Sequence, residues 1–426
     1  MQKFIPLIAI TLISCSFANA NEAISSASEQ ALAFRFDKVS SKQSNIQFNN
    51  QIIEDQVHNL FNFSYIYNGA GVAVGDINND GLVDIYFSGN QVSNRLYLNE
   101  DNFSFRDITE SAFADKDRGW KNGVSMIDIN NDGLFDIYVC RSGLYQNTTD
   151  RENKLYINQG DLSFTEEAKK YGLNDAGFSI QAYFFDYDRD NDLDLFLINH
   201  RYDFENNNLV TPRDKIQYDE FSSDQLYQNN GNNTFTRATQ KAGILNYAWG
   251  LSAVINDFNN DGWDDIYVAN DYVEPDNLFI NNKDGTFTES IAQHINHTSY
   301  YSMGSDLADI NNDGLQDLIV LDMVPEDHVR SKRLMAPMST ENFWRLIDSG
   351  LHYQYMLNTL QLNQGHGLFS EISQLSGISK TDWSWAPLFA DFDNDGHKDV
   401  FSGGSYDGVH VQHITSVGVS TSMELS

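Results

Sequence analysis

The chain has 426 residues, 41% of them hydrophobic, enough to bury a large core, and its 60 acidic against 27 basic residues give a net charge of −33 at pH 7. A surface this acidic repels nucleic acid and anionic membranes, so neither is expected as a partner. Two cysteines, Cys15 and Cys140, are too few for a disulfide framework.

Taken in chain order, residues 1–20 read as a signal peptide. Lys3 precedes an apolar run from Phe4 to Ile13, and small residues follow, ending in the A-x-A site Ala18-Asn19-Ala20. The run is too short for a membrane-spanning helix, and no other run is long enough, so no transmembrane span is expected. Leu12-Ile13-Ser14-Cys15 also resembles a lipobox, which makes a lipid anchor at Cys15 the alternative to cleavage after Ala20. Either route predicts export: periplasm, outer surface or secretion. Residues 21–33 are small and polar, a linker. Leu32 to Val39 then resembles a fourth strand with no first three before it, one that can complete the last blade and pair the two ends of the chain.

From Asp76 onward a short acidic stretch recurs, starting at Asp76, Asp128, Asp186, Asp257, Asp309 and Asp391. Its pattern is D-x-[D/N]-x-D-[G/N]-x-x-D. Oxygen-bearing side chains stand at positions 1, 3, 5 and 9: Asp76, Asn78, Asp80 and Asp84; Asp128, Asn130, Asp132 and Asp136; Asp186, Asp188, Asp190 and Asp194; Asp257, Asn259, Asp261 and Asp265; Asp309, Asn311, Asp313 and Asp317; Asp391, Asp393, Asp395 and Asp399. Alternate oxygens on a tight loop are the ligand list of a hard cation, and Ca2+ takes six to eight of them. Turn-forming preference alone would explain one such copy, not Asp at positions 1, 5 and 9 of six. An EF-hand requires Glu at position 12 and flanking helices. Position 12 here is Phe87, Val139, Leu197, Val268, Val320 or Ser402, and the flanks, such as Val72-Ala73-Val74 and Ile85-Tyr86-Phe87, are β-branched and aromatic strands. At position 6 the third loop has Asn191 where the others have Gly, so Asn191 is expected in the left-handed region that Asn tolerates best among non-Gly residues.

Each loop thus joins two strands. A third follows, as in Leu96-Tyr97-Leu98-Asn99 or Leu155-Tyr156-Ile157-Asn158, and a fourth opens on Phe105, Phe164, Phe235, Phe287 or Phe369. Four short strands, repeated between loop starts 52, 58, 71, 52 and 82 residues apart, describe the blades of an all-β propeller rather than a solenoid of uniform turns. The propeller is assigned to residues 34–402, with insertions at 200–223 and 322–357 and an atypical tail at 403–426. Past Gly404 the pattern fails. Only Val409 to Ile414 looks strand-like, so the expectation is an incomplete ring with an unpaired last edge.

These repeats resemble FG-GAP/VCBS repeats, the calcium-loop blades also found in integrin α chains. Asn68 to Asp76 and Thr381 to Asp391 carry a closer similarity to the bacterial branch related to cartilage acidic protein. The resemblance implies a secreted or surface-bound, calcium-binding protein working in adhesion or recognition. Longer members of that branch continue through further blades into an ASPIC-type domain, and this chain departs from them after about residue 402.

In a four-stranded meander the loops occupy one face of the ring, and both long insertions fall on the other. The fifth-unit insertion gathers Arg330, Lys332, Arg333 and Arg345 with Trp344, Tyr353 and Tyr355. Eight residues before each loop stand Asn68, Trp120, Phe178, Trp249, Tyr301 and Trp383, five of them aromatic. Packing between blades accounts for that row, and stacking against sugar rings is its alternative use. Trp120, Trp249, Trp383, Arg330, Arg333 and Trp344 are therefore the candidate ligand-binding residues, for an unknown protein or glycan. The sequence has no G-x-S-x-G, H-E-x-x-H or Walker loop, so it is read as a non-enzyme. The alternative is a lectin or calcium-dependent polysaccharide-degrading enzyme with its site on the insertion face.

Overall fold

The computed structural model describes residues 38–425 except 114–118, 146, 204–215, 335–338, 405–408 and 416–417. The signal peptide, the linker, Leu32 to Asp37 and part of the 200–223 insertion lie outside the described residues. Within them the chain is a six-bladed β-propeller of antiparallel sheets. Blade one comprises Val72–Gly75, Asp84–Phe87, Arg95–Asn99 and Phe105–Asp107, paired in sequence order. Blades two to five repeat this order from innermost strands Trp120–Ile127, Ser179–Phe185, Trp249–Asn256 and Ser305–Ala308.

Blade six starts with Asp382–Ala390 and Asp399–Gly404, and here the expectation of an unpaired edge is corrected. Val409–Thr415 pairs with 399–403, with Val400 opposite Gln412 and Phe401 opposite Val411. Gly418–Leu425 then pairs with 409–415 as a fourth strand. The tail lacks the Leu-Tyr-x-Asn signature of the other third strands, yet backbone N–H and C=O groups complete a ladder without it. From the fifth-unit insertion, Met323–Val324 adds a strand on the inner side of blade six, pairing with Trp383 and Asp382.

Alternation within each strand sends one row of apolar residues to each neighbouring blade. Five buried clusters result, one per seam from blades one and two to blades five and six. At the first seam, Tyr86, Leu96 and Ile108 of blade one meet Val124, Ile137, Val139 and Phe164 of blade two. The innermost strands converge on the channel, and glycine permits the closest approach. A Cβ on Gly71 would stand 2.7 Å from Asn122 O, and one on Gly304 2.3 Å from Trp385 O. Among the described residues no such cluster joins blade six to blade one.

Residues 45–67, ahead of blade one, cross blade one and cap the channel mouth on the insertion face. Phe63, Tyr65 and Ile66 are buried against Trp120 and Trp249. The Tyr65 hydroxyl donates to Asp271 Oδ2 of blade four at 3.0 Å, tying the two sides of the ring together.

Candidate metal centres

The six acidic stretches fold into near-identical loops at the ends of strands one and two. In the first, Asp76 Oδ1 accepts from Asp80 N at 3.1 Å and Asp76 Oδ2 from Gly81 N at 2.7 Å. Asp80 Oδ1 accepts from Leu82 N at 2.8 Å, and Asp84 Oδ2 from Ile77 N at 2.9 Å. The same four bonds recur in the other five loops. The chain therefore folds each loop around its own carboxylates. Position 6 has φ between +85° and +90° in the five glycine loops, and Asn191 stands at +72°, the left-handed geometry expected of it.

The donor set fits a hard divalent cation. In the third loop, oxygens of Asp186, Asp188 and Asp194 lie within 4.8 Å of one another, as do those of Asp391, Asp393 and Asp395 in the sixth. Asp188 Oδ1 and Asp192 Oδ1 are buried there without a hydrogen-bond partner. The position-9 aspartates, Asp84, Asp136, Asp194, Asp265, Asp317 and Asp399, are all fully buried. Burial, reinforced by neighbouring carboxylates, pushes Asp136 and Asp265 up to about 7, Asp194 to about 8 and Asp317 to about 6, and raises Asp84 as well. Two backbone N–H groups on each only partly offset that cost. A cation among these oxygens removes it.

Two recurrent residues escaped the sequence reading. The first is the asparagine closing each third strand: Asn99, Asn158, Asn229, Asn281 and Asn363. Its backbone N–H donates to Oδ1 of the position-9 aspartate at 2.8 Å in all five. Its side chain donates to the carbonyl of the residue before that aspartate. These asparagines orient the deepest carboxylate, and the Leu-Tyr-x-Asn repeat was their signal. The second is position 4, where Asn79, Asn131, Arg189, Asn260, Asn312 and Asn394 all have φ between +57° and +60°. Asn79 donates to Gly133 O at 3.0 Å and Asn312 to Gly396 O at 3.1 Å, linking neighbouring loops.

The other candidate residues are dispersed. Trp120 and Trp249 are fully buried, their rings packed by His58, Phe63, Tyr65 and His200 of the cap and its surroundings. Trp383 is half-buried. Arg330 pairs with Asp382 at 3.1 Å. Arg333 is exposed on helix His328–Leu334, and Trp344, 52% exposed, lies on helix Thr340–Asp348. Beneath the cap are buried carboxylates that the sequence did not single out. Burial raises Asp271, Glu274 and Asp276 to about 7 and Asp322 to about 6. Each has a donor of its own: Tyr65 on Asp271, Arg201 on Glu274 at 2.7 Å, Tyr267 and Ser302 on Asp276, and Ser299 on Asp322 at 2.7 Å.

Six copies of this loop between adjacent strands of one ring define a family. The FG-GAP-like repeat matches residues 76–139, 216–268, 257–320 and 349–402, just over half of the chain. The chain belongs to the FG-GAP-like repeat family. It is similar to cartilage acidic protein 1 of Xenopus tropicalis, 24% identical over 262 residues that cover 58% of this chain and 39% of that protein. The Homo sapiens protein of the same name is 27% identical over 266 residues, covering 58% and 38%. The chain thus spans about two fifths of the length of these relatives. Among solved structures, the FG-GAP propeller is similar to an Agrocybe aegerita lectin described as recognising non-reducing terminal N-acetylglucosamine. That pair is 14% identical with a TM-score of 0.47, covering 82% of this chain and 78% of the lectin, too weak a likeness to bear on function. No helix among the described residues is long and apolar enough to cross a membrane.

Proposed function

We propose that this FG-GAP propeller is an exported, calcium-stabilised recognition or adhesion module without catalytic activity. The observation that supports it best is the recurrence of one loop geometry six times, with a fully buried aspartate at position 9 of every copy. The residues at positions 1, 3, 5 and 9 would hold Ca2+, and the asparagines closing the third strands would orient the deepest ligand. The ion supplies charge neutralisation and a tie between strands one and two. With Ca2+ bound, the position-9 carboxylate would be held ionised as a ligand, so it would be a poor proton donor for chemistry.

Recognition is assigned to the opposite face. There the second insertion packs on the ring through Leu346, Leu351 and Met323–Val324, while Trp344, Tyr353 and Tyr355 remain partly exposed beside Phe343. Flat aromatic surface of this kind suits a glycan or a protein partner equally. The test is turnover against retention: the calcium-loaded protein is incubated with acidic and neutral polysaccharides. Retention on a polysaccharide, or inertness toward all of them, with no new reducing ends or unsaturated products fits a binding module. Sustained product formation would replace this reading with a polysaccharide-degrading enzyme.

A further inference from the structure

Of the four carboxylates buried beneath the cap, one has an oxygen to spare. Asp271 accepts from the Tyr65 hydroxyl on one oxygen and from Tyr272 N on the other. Asp276 accepts from Asn270 N as well as from Tyr267 and Ser302, and Asp322 from Met323 N as well as from Ser299. Glu274 is 4% exposed, yet only its Oε1 is used, by Arg201 Nη1 at 2.7 Å, and its Oε2 has no hydrogen-bond partner. Arg201 gives its other donors to Asp203, at 2.9 and 2.7 Å, so Arg201, Asp203 and ionised Glu274 together carry one net negative charge. A buried polar atom left without a donor is rare in a folded protein, and it asks for a ligand that brings one.

Glu274 lines a cavity of about 190 Å3 on blade four that both insertions help to build. Ile216 of the first insertion and Leu351 of the second join Leu245 and Phe279 in its apolar walls, and Glu289 brings a second carboxylate. Leu245 is 38% exposed and marks the mouth. No Lys or Arg stands among the described lining residues. Pockets for drug-sized ligands hold roughly 300–1,000 Å3, so this one suits a single group the size of a side chain. We propose that the cavity binds a primary ammonium on a short aliphatic stem, carried by a lysine side chain or a free amine. Glu274 Oε2 accepts from the ammonium, and Leu245, Leu351 and Ile216 pack on the stem. The site rests on the assignment of recognition to the insertion face and names the chemistry recognised there. An ammonium brings three donors and the charge that the Arg201, Asp203 and Glu274 group lacks, and a chain at −33 draws cations toward it. A guanidinium fits less well, because its fork wants two carboxylate oxygens and Arg201 already holds one of them. A sugar hydroxyl would bring a donor but no charge, and no aliphatic stem for the walls.

The test titrates n-pentylamine into the full chain by calorimetry, with saturating Ca2+ and physiological salt so that the acidic loops do not compete. The pH is 8, above the value of about 7 to which burial lifts Glu274, so the carboxylate is ionised while the amine keeps its proton. One site per chain is expected. The neutral isostere 1-pentanol should bind at least about tenfold more weakly, and so should pentylamine to Glu274→Gln, which still accepts from Arg201 but carries no charge. Equal affinity for pentanol, an undiminished Glu274→Gln, or no binding of millimolar pentylamine would overturn the proposal. Should that variant fail to fold, the comparison of amine with alcohol on the parent chain decides. Nα-acetyl-lysine methylamide separates the two sources: affinity equal to that of pentylamine assigns a lysine side chain, and much weaker binding assigns a free amine. The same sample is incubated with the acidic and neutral polysaccharides. No products and no amine binding would overturn this site alone, whereas sustained product formation would overturn the recognition reading whatever the amine does.

Discussion

The two faces of the ring handle buried carboxylates in different ways. On the loop face, six aspartates are buried beside like charges, and their donors are backbone N–H groups, one from the loop itself and, in five of the six, one from the third strand. On the cap face, Asp271, Glu274, Asp276 and Asp322 are buried as deeply, but each has a side-chain donor from elsewhere: Tyr65, Arg201, Tyr267 and Ser302, or Ser299. On the proposed reading one face would be completed by an ion from solution, whereas the other is completed by the chain itself. Stability on the loop face should therefore follow calcium, and on the cap face packing and pH.

The largest effect should come from the cap. Phe63→Ala removes a fully buried ring wedged edge-on against Trp120 at 5.2 Å. It should cost about 3 kcal/mol, the low end for such truncations, and the same with calcium or chelator. Denaturant unfolding under both conditions measures it, and a cost that depends on calcium would erase the distinction between the faces.

Asp132→Ala should show the opposite behaviour. If one site of the folded protein is occupied at a hundredfold excess over its Kd, losing it costs roughly 2–3 kcal/mol, and little in chelator. Equal costs in both conditions would mean that the second loop holds no ion.

Asp271→Asn isolates the pH term. Burial pushes Asp271 from an ordinary value of 3.8 up to about 7. Between those values the folded form holds a proton that the unfolded form has lost, so its contribution to stability falls as pH rises from about 4 to 7. The asparagine still accepts from Tyr65 and carries no charge. The variant should gain on the order of 1 kcal/mol over the parent at pH 8 and nothing at pH 4. Unfolding curves at the two pH values, both in chelator, give the difference, and an equal effect at both would show that Asp271 is not held protonated.

The smallest effect concerns the third loop. Asn191→Gly should be neutral or slightly stabilising, whereas Asn191→Val, forced to φ near +72°, should lose about 1 kcal/mol. Thermal melts rank the three, and a valine as stable as glycine would contradict the loop geometry.

The contrast between the faces also explains what could be read in advance. The loop face is local and repeated: nine residues specify each loop, and six copies set the blades around them. The Asn99-type residues and position 4 were equally visible as repeats, but their role depends on backbone geometry that composition does not display. The cap was not legible, because Tyr65 and Asp271 are 206 residues apart and neither belongs to a repeat. Of the last two strands of blade six, Val409 to Ile414 was visible as strand-like, but the fourth was not. Gly418 to Leu425 alternates only weakly, and its pairing rests on backbone bonds that any side chain permits.

The central claim is that the FG-GAP loops are calcium sites that hold the ring together. Scanning calorimetry of the full chain over a range of free Ca2+, bracketed by chelator, tests it most directly. The account predicts an unfolding temperature that climbs steadily with Ca2+ and drops in chelator, with Mg2+ less effective at equal concentration. An unfolding temperature indifferent to both Ca2+ and chelator would contradict it.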